Sequence, residues 1–156
     1  MPGVRPTALS QIIREYTYAY GAFFPNEGKT VSMILPFMDS YCMELFLNEV
    51  SRSYPHHLIL MIIDGAPNHR SQQYEIPSNI RLLHLPPYCP QLNPSENMWD
   101  EIREKFFANV SFDSMKELES HLCQALVHYE SNPQIVKSIT NWEWISNEIH
   151  SFSIAN

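Results

Sequence analysis

The N-terminal part of the chain alternates apolar and polar residues in two short stretches. Over residues 11–20, Ile and Tyr alternate with Arg, Glu and Thr, and this period of two predicts a strand. Residues 21–29 are rich in Gly, Pro and Asn and predict a hairpin connection. Residues 30–35 predict a second strand, which Pro36 ends. The chain is therefore predicted to open with a β-hairpin.

A helix and two further strands are predicted next. Apolar residues recur at helical spacing from residue 40 to about 52, with Asp39 or Ser40 as the N-cap, and a helix cap accounts for Asp39. Residues 58–63 are apolar throughout, which is typical of a strand buried on both faces. A short element is predicted at 71–74, and another strand at 79–85.

The remainder of the chain is predicted to be helical. Three prolines stiffen a loop over residues 86–93, and a helix is predicted from 94 to about 107. A second amphipathic helix is predicted over 113–129, and Pro133 opens a last one. The predicted apolar faces of these last two helices comprise Leu118, Leu122, Leu126 and Tyr129, and then Ile135, Ile139, Trp142, Ile145 and Ile149. A hairpin followed by strand–helix units predicts an α/β fold, with a mixed sheet flanked by helices.

Composition narrows the class of protein. At 156 residues, 44% of them hydrophobic, the chain is long enough for a substantial core. It has no apolar run of about 18 residues, so no transmembrane helix is predicted. Three cysteines without metal-binding spacing favour a reduced, cytoplasmic protein. The net charge of −7 argues against a free-standing, high-affinity nucleic-acid binder, because such binding needs Lys and Arg to neutralise phosphates.

Two carboxylates stand out as candidate metal ligands. Asp64 directly follows the apolar strand 58–63, and such strand ends line the ligand crevice of open α/β sheets. Glu96 lies at the start of the helix predicted from residue 94. Brought together, the two would form an oxygen-rich site suited to Mg²⁺ or Mn²⁺. Each also has a simpler explanation, Asp64 in a Gly-Pro turn and Glu96 in a capping box with Asn93.

Three polar neighbours belong to the same candidate site. Asn68 and His69 follow Asp64 closely, and Asn93 precedes Glu96. In this position they are candidates for orienting substrate or a metal-bound water. The alternative for His69, an ordinary polar surface residue, stays open.

Two segments of the sequence carry a resemblance to a known family. They are DGAPNH at residues 64–69 and, more specifically, LPPYCPQLNPSENMW at residues 85–99. With further similarity over about the first 110 residues, they resemble the DDE transposases of the mariner superfamily, in its bacterial insertion-sequence branch. Cys89 stands where Ser is usual in that family, and Ser95 stands where Ile or Val is usual.

The resemblance implies a fold and a chemistry. The family's catalytic domain is RNase H-like, and three carboxylates bind two divalent ions, Mg²⁺ or Mn²⁺, that support DNA strand cleavage and transfer. By motif, Asp64 matches the second carboxylate and Glu96 the third. Both are therefore expected to be catalytic and metal-binding. The implied partner is transposon-end DNA, reached through the complete protein, and no membrane is expected.

The resemblance also implies that one strand is missing. The family's first aspartate lies on a central strand that precedes the segment at residues 3–6, so we expect this chain to be N-terminally truncated. In the RNase H-like sheet the missing strand lies between the strands predicted at 11–20 and 58–63, so two strand edges inside the sheet would then be unpaired. Residues 1–110 are expected to form a partial DDE catalytic domain, and residues 111–156 a C-terminal helical extension packed on it.

One functional hypothesis and two alternatives follow. The chain is expected to be the C-terminal part of an insertion-sequence transposase, inactive alone and working with an upstream transposase fragment. Alternatively, it is a non-catalytic remnant that binds or inhibits full-length transposase through its exposed sheet edges. An unrelated metal-dependent phosphohydrolase would need another carboxylate near Asp64, which the sequence does not supply. The sequence leaves open whether the chain alone is an enzyme.

Overall fold

The computed structural model describes residues 15–64, 74–86 and 93–142. The strands in these ranges are β1 (Tyr18–Phe24), β2 (Lys29–Leu35), β3 (Ile59–Ile63) and β4 (Ile80–His84). The helices are α1 (Ser40–Ser53), α2 (Pro94–Ile102), α3 (Met115–Glu130) and α4 (Pro133–Thr140). The predicted α/β class is confirmed, and the arrangement is consistent with an RNase H-like α/β domain. No helix within these ranges is long and apolar enough to cross a membrane.

The predicted hairpin forms, but its connection is shorter than predicted. β1 and β2 pair antiparallel, and the turn between them covers only residues 25–28. Gly28 has a φ of +69°, a left-handed conformation that glycine adopts without strain. The prediction that 21–24 belong to the connection is wrong, because these residues continue β1. The predicted start of the strand at 11–14 lies outside the described residues.

Gly21 lies within β1, where it allows close packing and is not part of a turn. Along β1 alternate side chains face two different helical layers, with Ala19 and Phe23 on one face and Tyr20 and Phe24 on the other. A Cβ at Gly21 would lie 2.9 Å from the end of the Phe23 ring and 2.9 Å from Cη2 of Trp99. The absence of a side chain therefore lets the indole of α2 approach the β1 backbone.

Helix α1 forms as predicted and packs against both halves of the sheet. The Asp39 carboxylate caps it by accepting a hydrogen bond from the Cys42 amide at 2.8 Å. Its buried face includes Met43, Phe46, Leu47 and Val50, which pack in one cluster with residues of all four strands. One amphipathic helix thus covers the same face of both strand pairs.

Strands β3 and β4 form a parallel pair that is covered on one face only within the described chain. Ile59 and Ile63 are buried on the α1 side, whereas Leu60 is 56% exposed and Leu83 is 48% exposed. The prediction that residues 58–63 are buried on both faces is therefore wrong for the described part of the chain. The cause is the period of two, which places alternate residues on the face that α1 does not cover. Of the short element predicted at 71–74, only Tyr74 is described, and it is not in a regular element.

The four described strands form two separate pairs rather than one continuous sheet. β1 pairs with β2, and β3 pairs with β4, with no ladder between the two pairs among the residues described. This separation agrees with the prediction of a mixed sheet that lacks its central strand and has two unpaired inner edges. The gap lies between β1 and β3, where the resemblance placed the missing central strand.

Helices α2, α3 and α4 cover the other face of the hairpin. Their shared core contains seven buried side chains, with β1 and β2 residues packed against it: Met98, Ile102, Leu122, Ala125, Leu126, Tyr129 and Val136. The predicted face of α3 is confirmed for Leu122, Leu126 and Tyr129. In α4, Val136 is buried and the predicted Ile135 is 36% exposed.

The end of α2 differs from prediction. The α-helix stops at Ile102, and a π-helical turn, Arg103–Phe107, continues it where one regular helix was predicted. From this turn Phe106 and Phe107 both pack on His121 of α3, whose Nε2 lies 2.6 Å from the Phe106 carbonyl oxygen. Such wide turns are rare inside helices, and here the turn joins α2 to α3. The predicted apolar residues 145 and 149 lie outside the described chain.

The bridging role of α1 predicts a large difference between two leucines of that helix. Leu47→Ala should lower the free energy of unfolding by about 2–5 kcal/mol, because Leu47 is 0% exposed within the cluster that joins both strand pairs. Leu45→Ala, the matched control with 37% exposure, should cost less than about 1 kcal/mol. Urea denaturation followed by circular dichroism measures both values. Equal losses would contradict the packing described for α1.

The contact between Gly21 and Trp99 predicts an energetic coupling. Gly21→Val should destabilise the protein by about 1–3 kcal/mol, since the added side chain overlaps the indole. In a Trp99→Phe background the same substitution should cost less, because the smaller ring leaves room for it. A double-mutant cycle by chemical denaturation measures this coupling. Strictly additive effects would show that the indole does not limit residue 21.

Candidate functional site

Asp64 is placed by the end of β3. The Leu85 amide donates a hydrogen bond of 2.8 Å to the Ile63 carbonyl oxygen, so the parallel pair continues to the residue before Asp64. Asp64 is the first residue beyond the strand and is partly buried. Parallel strands present such residues at their shared carboxyl edge, which is where open α/β sheets bind ligands. Asn68 and His69, predicted to orient substrate, lie outside the described residues.

Glu96 is placed by a capped helix start. Asn93 is the N-cap of α2, and its side-chain oxygen accepts a hydrogen bond of 3.1 Å from the Ser95 amide. Pro94 occupies the first turn, and the Glu96 amide donates to the Asn93 carbonyl oxygen at 3.1 Å. Among the described residues, the Glu96 carboxylate makes no hydrogen bond back to the Asn93 amide. The capping box is therefore only half formed, and the cap does not account for the Glu96 carboxylate.

A large cavity brings the predicted site residues together. It has a volume of about 1280 Å³ and lies between β1 and β3. Asp64, Asn93 and Glu96 all line it, although 31 residues separate the two acids in sequence. The two acidic residues thus border one space, whereas the sequence alone left each of them a simpler local role.

Asp39 lines the same cavity, which the sequence did not indicate. Its carboxylate is held by the cap hydrogen bond to Cys42, as predicted. The sequence signal for a cap explained Asp39 completely, so nothing in the local pattern marked it as a neighbour of Asp64 and Glu96. Only the packing of α1 beneath both strand pairs brings it there.

The described lining of the cavity is acidic. It includes Glu27, Asp39, Asp64 and Glu96 and contains no Lys or Arg among the described residues. Lys29, outside the lining, forms an ion pair with Glu27, so the acidic character rests on the other three. Tyr20 also lines it, and its hydroxyl donates a hydrogen bond of 3.0 Å to the Phe37 carbonyl oxygen. Burial, and then the nearby Cys42 and Asp39, raise the pKa of Tyr20 to about 12, so this hydroxyl stays protonated at neutral pH. Such a lining suits a cation and disfavours direct contact with phosphate.

The donor atoms suit a divalent cation but are incomplete. Carboxylate and amide oxygens are the ligands that Mg²⁺ prefers, and Asp64, Glu96 and Asn93 supply them. Within the described part of the chain, however, no group of three or more His, Cys, Asp or Glu side chains is close enough to bind a metal ion. These residues therefore fit part of a metal site, and a further ligand is needed to complete it.

Comparison with known proteins gives the family of the chain. A family model described as DDE superfamily endonuclease matches residues 1–119. The chain is 34% identical over 131 residues to the uncharacterized protein y4pE/y4sA of Sinorhizobium fredii (strain NBRC 101917 / NGR234). The aligned region covers 83% of this chain and 96% of that protein. No solved structure matches the chain. Because this family model matches most of its length, the chain belongs to the DDE superfamily endonucleases.

Proposed function

We propose that this chain supplies the second and third metal-binding carboxylates of an insertion-sequence transposase of the mariner superfamily, in its bacterial branch. The observation that carries the proposal is the shared cavity of Asp64 and Glu96, two acids held by unrelated local structures. Enzymes of the DDE superfamily generally use divalent metal ions. In this proposal the chain is the C-terminal part of the catalytic domain, and an upstream polypeptide supplies the remaining ligand.

The proposed roles follow from the position of each residue. Asp64 and Glu96 would bind Mg²⁺ or Mn²⁺, two ions in the complete site, and these ions supply activation of the attacking oxygen and stabilisation of the leaving oxygen. The Asn93 cap holds the first turn of α2 and so orients Glu96. Trp99, packed edge-on against Phe23 at 5.5 Å, fixes the same helix on β1. Asn68 and His69 remain proposed substrate-orienting residues.

DNA contact requires more than the described residues provide. The lining is acidic, so bound metal would have to offset its charge before a phosphate could approach. The proposed substrate, transposon-end DNA, would be held through the complete protein. The division into a partial catalytic domain at 1–110 and a helical extension at 111–156 stays a prediction.

A second function has its own supporting observation. Strands β1 and β3 each have one edge without a partner strand among the described residues, and such edges readily pair with another chain. A non-catalytic module that binds full-length transposase and inhibits it would use the same feature. The two functions differ in whether an upstream fragment restores activity.

Metal binding tests the two carboxylates directly. Asp64→Asn and Glu96→Gln should each weaken Mn²⁺ binding by at least about 10-fold, because each removes one charged oxygen ligand. Glu119→Gln, on the exposed face of α3, is the matched control and should leave binding unchanged. Titration of free Mn²⁺ by electron paramagnetic resonance gives the affinities. Equal affinity in all four proteins would mean that these acids do not bind the metal.

Strand cleavage separates the two proposed functions. With Mg²⁺ and a plasmid carrying the element's ends, the purified chain should give no cleavage, since in this proposal an upstream polypeptide supplies the remaining ligand. Addition of an upstream transposase polypeptide should restore nicking, and Asp64→Asn or Glu96→Gln should reduce the restored rate by more than about 100-fold. Cleavage by the chain alone would refute the split-enzyme proposal. Inhibition of an intact transposase, without restoration, would favour the interaction module.

A further inference from the structure

Two strand edges face each other across the cavity between β1 and β3. Each strand is paired on its other side, β1 with β2 and β3 with β4. Consecutive residues of both strands line the cavity, 19–24 on one side and 59–63 on the other. Side chains alternate between the two faces of a strand, so an unbroken series of lining residues means that the strand edges themselves form the walls. We call this space the strand groove.

The hydrogen bonds of β3 show which backbone groups point into the strand groove. The Ile59 amide donates to the Asn79 carbonyl oxygen at 2.8 Å, and the Ile63 carbonyl accepts from the Leu85 amide at 2.8 Å. Residues 59, 61 and 63 therefore bond toward β4. By the same period of two, the amide and carbonyl groups of Leu60 and Ile62 point the opposite way, toward β1. Backbone polar groups in an apolar space require hydrogen-bond partners.

The two walls run in opposite directions. The last residue of β1, Phe24, packs on Tyr54 with ring centroids 4.6 Å apart, and Tyr54 packs on His57, which is just before β3, at 5.7 Å. The end of β1 thus lies beside the start of β3. Toward the start of β1, Tyr20 packs on Phe46 of α1 at 5.5 Å. A strand between the walls would be antiparallel to one and parallel to the other, and sheets allow both pairings.

Helices α1 and α2 border the other two sides of the strand groove. Met43 and Phe46 of α1 line one side together with Asp39, and Trp99 of α2 lines the other together with Asn93 and Glu96. The apolar side chains on both sides favour a strand that is apolar on both faces, like the strands of buried sheets. β1 has seven residues and β3 has five, so the walls accommodate an extended segment of five to seven residues, about 17–23 Å long.

Charge complementarity further restricts the occupant. Asp39, Asp64 and Glu96 line the cavity, without Lys or Arg among the described lining residues, whereas the fourth acid, Glu27, is in an ion pair with Lys29. In metal-free solution these charges favour an apolar segment with basic flanks and disfavour an acidic one. A compact small molecule would not form hydrogen bonds along the full length of either strand edge.

We propose that the strand groove accepts one β-strand from a second polypeptide, which joins β2-β1 and β3-β4 into a single five-stranded mixed sheet. Main-chain hydrogen bonds to both walls supply the affinity, as in other cases of strand addition. The identity of the polypeptide that supplies the strand rests on the proposed function. The docking of a strand rests only on the geometry of the strand groove. Its test needs neither metal nor DNA, so the two proposals can fail separately.

The test uses the full chain and a synthetic strand. The probe is a fluorescein-labelled peptide with seven alternating Val and Ala residues flanked by two lysines at each end, in buffer with EDTA. Fluorescence anisotropy should show one-to-one binding, and saturating peptide should raise Tm. The matched control peptide has N-methyl groups on alternate amides, chosen in both registers. It should bind at least about 10-fold more weakly, because it cannot pair with both walls.

A pair of protein variants tests the wall itself. Leu60→Pro removes an amide that points into the strand groove and leaves the bonds to β4 intact, a position where strands tolerate proline. It should weaken peptide binding by at least about 10-fold, whereas Leu60→Ala, which keeps the amide, should bind within about threefold of the parent chain. Circular dichroism and Tm without peptide establish that both variants fold. If Leu60→Pro does not fold, the N-methyl peptides still decide the question.

Each contrary result overturns the proposal. Absence of binding, or equal binding of the N-methylated peptides, would show that strand pairing does not occur. Binding that appears only after deletion of residues 1–14 would identify the chain's own N-terminal segment as the occupant. A dimer that the peptide dissociates would identify a second copy of the chain. Peptide binding together with unchanged Mn²⁺ affinity in the carboxylate variants would refute the proposed function and leave the strand groove in place.

Discussion

The arrangement of the described chain depends on the burial of one face of α1. Met43, Phe46, Leu47 and Val50 pack against residues of two strand pairs that are not hydrogen-bonded to each other in the described structure. Each such side chain contributes about 1.5–3 kcal/mol when fully buried, so together they contribute on the order of 10 kcal/mol. That is comparable with the whole net stability of a small domain. The helix therefore does what a continuous sheet would otherwise do, holding β1 and β3 side by side.

The burial of this face of α1 also positions the acidic residues of the candidate site. With β3 held against α1, Asp64 at the end of the strand opens into the cavity, and Asp39 at the start of α1 lies on it as well. Glu96 reaches that space from the opposite layer, where Gly21 lets Trp99 pack close to β1. Two independent packing contacts, one on each face of β1, thus bring acids from distant parts of the sequence to one cavity. Neither contact involves the acids themselves.

An open groove between two strand edges is costly to maintain. Unpaired backbone groups attract other strands, and natural sheets usually protect them with charge, proline or a covering element. Here α1 covers one face of the groove, Trp99 of α2 borders the other, and acidic residues line it, while the backbone of Leu60 and Ile62 has no partner strand on that side among the described residues. The acidic border discourages acidic segments and leaves the apolar walls for an extended one. Binding of a strand and completion of the DDE site would then be one event.

Local patterns in the sequence determined much of the structure. The helical period and the Asp39 cap located α1, the apolar run located β3, and Asn93-Pro94 located the start of α2, because caps and periodicity act within a few residues. The sequence pattern wrongly assigned residues 21–24 to the hairpin connection, because Gly21, which is needed for packing, resembles a turn glycine in the sequence. The family likeness of residues 64–69 and 85–99 matched Asp64 and Glu96 to metal-binding carboxylates before any contact was known.

Only the tertiary structure decided what those elements do together. That Asp39 lines the same cavity as Asp64 and Glu96 depends on contacts between residues far apart in sequence. Such contacts are set by which faces bury against each other, and a local period of two or 3.6 carries no record of that. The sequence alone therefore determined the elements and the family likeness of the two acids. Tertiary packing placed both acids on one cavity and gave this cavity the dimensions of one extended strand.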